Sequence, residues 1–191
     1  MMKNLLQEIK QCRVCQNHLD PNPILSISKQ SKIIVIGQAP GKIVHETGVP
    51  WNDKSGDNLR SWMGVDKPTF YDTKKFGIMP MGFCFPGSGK SGDLPPRPEC
   101  APLWHEKLLK QITDIELIVL IGQYSQGYYL KGKAKESLTA TVKNFSKYLP
   151  TYFTLPHPSP RNNIWMAKNK WFENKVLPNL KSTIARILNQ K

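Results

Sequence analysis

Two short segments hold residue types able to do chemistry: Gly37-Gln38-Ala39-Pro40-Gly41 and His157-Pro158-Ser159-Pro160-Arg161-Asn162. Each follows a short apolar run, Ile33-Ile34-Val35-Ile36 in the first case and Tyr152-Phe153-Thr154-Leu155 in the second. A histidine just beyond a strand can donate a hydrogen bond to an oxygen on which negative charge builds as a bond breaks. Pro158 and Pro160 stiffen the turn, and Ser159, Arg161 and Asn162 carry donors suited to phosphates or a groove. Gly37 and Gly41 let backbone approach a ligand and present amides to it. A lone His-Pro pair would more simply be a turn histidine at a strand end; the second motif argues for chemistry.

Four cysteines, Cys12, Cys15, Cys84 and Cys100, form a second constellation. In a cytosolic protein a Cys-x-x-Cys pair points to metal or redox chemistry more than to structural disulfides. A third stretch, Gly89-Lys90-Ser91, ends like a P-loop, but the glycine that motif needs at position 84 is Cys84, and proline-rich sequence follows. Nucleoside triphosphate binding is therefore rejected, and Lys90 and Arg97 become candidates for phosphate contacts.

The elements that must position these groups follow from apolar patterning. Ile33–Ile36 and Leu117–Ile121 read as buried strands of a parallel sheet. Phe76–Met81 is a weaker strand candidate, and Tyr152–Leu155 is the last. Helices are expected over residues 1–10, from about Gly56-Asp57 through Met63, over 102–112, from Gly122 to Leu130, and from about 168 to 188. Pro178 should kink or restart the last one. Residues 16–31, 42–55 and 84–100 read as loops. Alternating strands and helices predict an α/β fold: three layers, α/β/α, around a central, mainly parallel four-stranded sheet. Ligands of such sheets bind beyond the carboxyl ends of the strands, where Gly37, Gly122 and His157 all fall.

The chain has 191 residues, enough for one domain with a substantial core. No repeat or linker divides residues 1–191. Its apolar runs are too short to span a bilayer, and its N-terminal residues lack a signal-peptide pattern, so a cytoplasmic location is expected. The net charge of +13, from 27 Lys and Arg against 14 Asp and Glu, suits a polyanionic partner.

Together the paired motifs resemble those of the uracil-DNA glycosylase superfamily. Gly37–Gly41, its spacing to Gly48-Val49-Pro50-Trp51 and Ser55-Gly56, and the four cysteines are closest to the iron–sulfur family 4 type. The His-Pro-Ser-Pro-Arg-Asn form is most similar to the single-strand-selective branch. The resemblance runs from Cys12 to the helix after Asn162. It implies a monomeric enzyme that hydrolyses the N-glycosidic bond of uracil, or of another deaminated or damaged base, in extruded DNA. By the same resemblance His157 would stabilise the departing base and Gln38 would hold water or base. Gly37, Ala39, Trp51 and Ser55 would line the base site, with Trp51 in the place of a stacking phenylalanine. Ser159, Arg161 and Asn162 would meet DNA. Cys12, Cys15, Cys84 and Cys100 would hold a 4Fe–4S cluster, with all-cysteine zinc as the alternative; His18 or His105 could replace one thiolate in a zinc site. Trp51 could instead be a core anchor.

Three departures qualify that implication. Gln38 replaces a glutamate, Ala39 stands where the best-known branch carries its water-activating aspartate, and Pro80 stands where family 4 reads uracil with asparagine. Asp53, Asp57, His45 and Glu46 are nearby candidates for the missing carboxylate or imidazole role. The departures also motivate an alternative, a non-catalytic nucleic-acid-binding module on the same fold.

Overall fold

The computed structural model describes residues 1–90, 92–132, 134 and 137–190. In chain order the elements are α1 (Met2–Lys10), β1 (Ile33–Ile36), α2 (Lys42–Thr47), α3 (Lys54–Met63), α4 (Lys67–Tyr71) and β2 (Phe76–Ile78). There follow β3 (Ser88–Gly89), β4 (Gly92–Asp93), α5 (Cys100–Leu109), β5 (Leu117–Ile121) and α6 (Gly122–Leu130). The chain finishes with α7 (Leu138–Lys143), β6 (Tyr152–Leu155), α8 (Asn163–Lys168) and α9 (Leu177–Asn189). The main sheet has four strands in the order β2-β1-β5-β6, and every pairing is parallel.

Both faces of this sheet are covered. Ile33 and Val35 of β1 pack on one side with Leu59, Trp62, Leu180 and Ile184 from α3 and α9. Ile34 and Ile36 face the other side, with Leu5 and Ile9 of α1 and Trp104 and Leu108 of α5. Period-two alternation thus sends neighbouring isoleucines of one strand into different cores, which is why β1 is apolar at every position. The outer edge of β2 is capped where Ser26 and Ile78 exchange backbone hydrogen bonds, so it offers no open strand edge.

From β1 the chain steps outward to β2 and then returns past β1 to β5. The sheet order therefore reverses beside β1, and a crevice opens at the carboxyl ends of β1 and β5. Gly37 continues from β1 directly into it.

Several local expectations are corrected. Residues 42–55, read as loop, contain helix α2 and the start of α3. Gly41, in extended conformation, opens α2, and Gly48 at φ 69° ends it in the left-handed region. Only Val44 of α2 is buried, too little for a period to show. Helix α3 starts at Lys54 because the Asp53 side chain accepts from Gly56 N–H at 2.8 Å. The 84–100 loop carries the β3–β4 hairpin and ends at Cys100, where α5 already begins; Ser91 in that loop lies outside the described residues. Pro178 sits in the first turn of α9, just after a wide π-type turn at Phe172–Val176, and the helical backbone runs through without a break. The short helices α4, α7 and α8 left no readable period. Among the described residues, no helix is long and apolar enough to cross a membrane.

Candidate active site

Beyond β1, the backbone of Gly37 and Gln38 stays in register with the segment after β2. Met81 N–H donates to Gly37 O and Gly82 N–H to Gln38 O. This holds Gly37–Gly41 as one wall of a cavity of about 280 Å³. The same cavity is lined by His157, Ser159 and Arg161 and, around the start of α3, by Trp51, Asp53 and Ser55. The two motifs, 120 residues apart from Gly37 to His157, are thus brought together, as are Gln38, Ala39, Trp51 and Ser55.

Trp51 is held in an unusual way. Its φ of 56° lies in the left-handed region, costly for a bulky residue. Two glycines make room for it. A Cβ on Gly37 would come within 2.7 Å of the indole, and one on Gly56 within 1.7 Å of the Trp51 carbonyl oxygen. Arg60, nearly buried, donates to that same carbonyl at 3.2 Å, and Tyr71 Oη donates to Pro50 O at 2.8 Å. The indole packs on the core yet also lines the cavity, its ring centroid 5.7 Å from that of His157.

His157 is fixed by its own loop. Ser159 N–H donates to His157 Nδ1 at 3.2 Å, so Nδ1 is the lone-pair nitrogen and the proton of the neutral ring sits on Nε2. Burial holds the imidazole below its ordinary pKa, partly offset by the carboxylates of Asp53 and Asp93. The loop is braced from both sides: Asn162 Nδ2 donates to His157 O at 2.7 Å, and Asn58 Nδ2 of α3 donates to Pro158 O at 2.9 Å. Asn162, expected at DNA, thus turns its amide inward, and it does not line the cavity. Ser159 Oγ accepts from Arg161 N–H at 3.3 Å.

Two lining residues answer expectations in other ways. Gln38 Nε2 donates to Leu94 O at 3.2 Å, tying the β3–β4 hairpin to the Gly37–Gly41 wall. Pro80 does line the cavity, but its carbonyl accepts from His105 Nε2 at 3.0 Å. Since a carbonyl only accepts, His105 carries its proton on Nε2, and its Nδ1 accepts from Tyr129 Oη at 2.7 Å. Burial pushes His105 down to about 4.

Of the proposed carboxylate and imidazole candidates, only Asp53 lines the cavity. Asp57 binds Arg60 at 2.6 Å, and His45 lies against Phe85, 3.7 Å from Asp20. Sequence reading passed over Asp93, which joins the lining from the hairpin, and Asn58 and Arg60, which brace the loops from α3. Gly89 and Gly92 bracketing two residues was a hairpin-turn signal, but nothing local tells which way the hairpin folds.

The four cysteines line a second, mostly apolar cavity with Leu19, Phe83, Leu103 and Trp104. All four are free thiols. Burial pushes Cys84 up to about 11 and Cys100 up to about 12, and Phe83 N–H donates to Cys100 Sγ at 3.4 Å. Neither His18 nor His105 lines this cavity. Arg97, expected to meet phosphates, lines this cavity and pairs with Glu99. Among the described residues, no group of three or more His, Cys, Asp or Glu side chains is gathered tightly enough to hold a metal ion.

Set against known protein families, the chain matches the model described as the uracil DNA glycosylase superfamily over residues 26–181. The matched span holds both strand-end motifs, Cys84 and Cys100; Cys12 and Cys15 precede it.

Proposed function

The chain belongs to the uracil DNA glycosylase superfamily, and we propose that it is a DNA glycosylase that excises uracil or another deaminated or damaged base flipped into the Trp51–His157 cavity. One observation carries this reading: His157 has its Nδ1 occupied by Ser159 N–H, so Nε2–H is left as a donor at the cavity. A neutral donor fixed in this way stabilises charge on a base oxygen as the glycosidic bond breaks. The indole of Trp51 gives the flipped base a face to stack on. Gly37–Gly41 offers backbone rather than side chains to the base edge, and Pro80 adds no side-chain donor. The base is then selected largely by shape and backbone amides, so the target extends to hypoxanthine, xanthine or an oxidised pyrimidine as well as uracil.

DNA would approach the rim formed by Ser159 and Arg161. Ile164 of α8, 71% exposed and three residues after Arg161, would press on an opened base step. The excess of basic residues supplies the general attraction to phosphates.

The reading includes a 4Fe–4S cluster held by Cys12, Cys15, Cys84 and Cys100. It is supported by four uncrosslinked thiols that line one mostly apolar cavity, the ligand set such a cluster takes, with zinc in the same four thiolates as the alternative. When bound, the cluster would tie the N-terminal segment to α5, a structural role. Binding would release protons from the raised thiols of Cys84 and Cys100. Protein purified without oxygen is expected to absorb near ~400 nm, as thiolate-bound iron–sulfur proteins do; a colourless protein containing zinc would replace the cluster in this reading.

The activity is tested on labelled single- and double-stranded oligonucleotides carrying uracil, hypoxanthine, xanthine or 5-hydroxymethyluracil, with alkaline cleavage reporting abasic sites. Excision by the wild type that collapses in His157→Ala supports the reading. Tight binding by both proteins without excision of any base would make the chain a binding module.

A further inference from the structure

Hydrolysis at this cavity needs a group to take a proton from water, and the Gly37–Gly41 wall has none: Ala39 is a methyl group and Gln38 an amide tied to Leu94 O. His157 does not serve, because its lone-pair nitrogen already accepts Ser159 N–H. Among the described residues, two carboxylates line the cavity, Asp53 and Asp93. Asp53 Oδ1 is occupied at the N-terminus of α3, accepting Gly56 N–H at 2.8 Å.

Asp93 reaches the cavity from the β3–β4 hairpin, 56 residues further along the chain than Gly37. Its neighbours close around it. Gln38 Nε2 ties the hairpin base at Leu94 O. Gly92, at φ 141°, lies under the Arg161 guanidinium so closely that a Cβ would meet Nη1 at 3.0 Å. Gly41 lies under the carboxylate itself: a Cβ there would be 3.3 Å from Asp93 Oδ2. Both glycine positions are therefore small where the hairpin closes on the two motifs. Ser88 Oγ, across the hairpin, donates to Asp93 Oδ1 at a long 3.5 Å.

We infer that Asp93 is the general base of this site, orienting the attacking water and accepting its proton. The inference rests on the glycosylase reading above. In the step it serves, the water oxygen bonds to C1′ of the deoxyribose while the C1′–N bond breaks. The bond's electron pair leaves with the base, whose oxygen is met by His157 Nε2–H. The water proton passes to the Asp93 carboxylate and then to solvent, and solvent protonates the released base. The products are the free base and an abasic sugar.

The test is single-turnover excision by the full-length protein, run beside equilibrium binding to the same DNA. Asp93→Asn keeps the shape and is expected to slow excision by about 100-fold or more, the usual range for a lost general base, with DNA affinity changed less than about threefold. Asp93→Glu should recover part of the rate, which a purely structural hairpin residue would not show. Asp53→Asn, the rival carboxylate, should cost under about tenfold, since asparagine still caps α3. Near-wild-type excision by Asp93→Asn, a larger loss in Asp53→Asn, or a loss of binding that accounts for the lost rate would each overturn the assignment while leaving the glycosylase reading intact. A wild type inert on every base would overturn both.

Discussion

His105 is buried and His157 half-buried, and burial holds both imidazoles below their ordinary pKa, yet their surroundings leave them differently partnered. His105 has each ring nitrogen occupied, by Pro80 O and by Tyr129 Oη, and stacks on Phe83. His157 has one nitrogen occupied, by a backbone N–H two residues away, and keeps the other for the cavity. Burial lowers the pKa of both. Depressed basicity therefore does not tell the two histidines apart; the number of protein partners on the ring does.

The largest expected effect would break the pair apart by rate. His157→Ala should lower single-turnover excision by about 10²–10³-fold, the range for removing one donor to a developing anion. His105→Ala should stay within about tenfold of wild type in the same assay.

Stability should show the reverse. His105→Ala leaves Tyr129 Oη and Pro80 O without their partner inside the protein and opens a void. A loss on the order of 3 kcal/mol is expected, read from urea denaturation. His157→Ala, at the rim of an open cavity, should lose less than half as much. Equal losses would dissolve the distinction.

Acid should sharpen it. An unfolded histidine takes up its proton near pH 6.5, whereas folded His105 resists until about 4. Between those values the unfolded chain binds more protons, so stability falls as pH drops through the window, by roughly 3 kcal/mol once pH reaches the folded value. His157 adds a loss of the same sign. Denaturation midpoints from pH 7 to pH 4 should show this slope, and His105→Phe should flatten it.

The smallest effect concerns the brace. Asn162→Ala removes the hydrogen bond to His157 O, worth about 1 kcal/mol, and should slow excision by about three- to tenfold with the fold intact. No change in rate would mean that Asn58 alone positions the loop through Pro158.

The site was legible in unequal parts. The strand ends at Gly37 and His157, the aromatic at Trp51 and the four cysteines could be read directly, because apolar runs and their breakers carry burial information locally. Short helix α2 could not, since one buried valine makes no period. Asn162 looked like a DNA ligand because its type is suited to phosphates; its inward hydrogen bond depends on the turn its own loop makes. The pairing of Arg97 with Glu99 was not read either, because residue type does not say which neighbour a guanidinium turns to.

By itself the sequence determined the α/β class, the superfamily motifs and the places where strands hand over to site residues, since these depend on residue type and near neighbours. Tertiary structure alone decided the strand order that puts β1 beside β5, the tautomer of His157, the two glycines that admit Trp51, and the closing of the hairpin that carries Asp93 onto Gly41. Those outcomes rest on contacts between residues distant in the chain, or on the exact path of a turn, and a linear pattern of apolar and polar residues encodes neither.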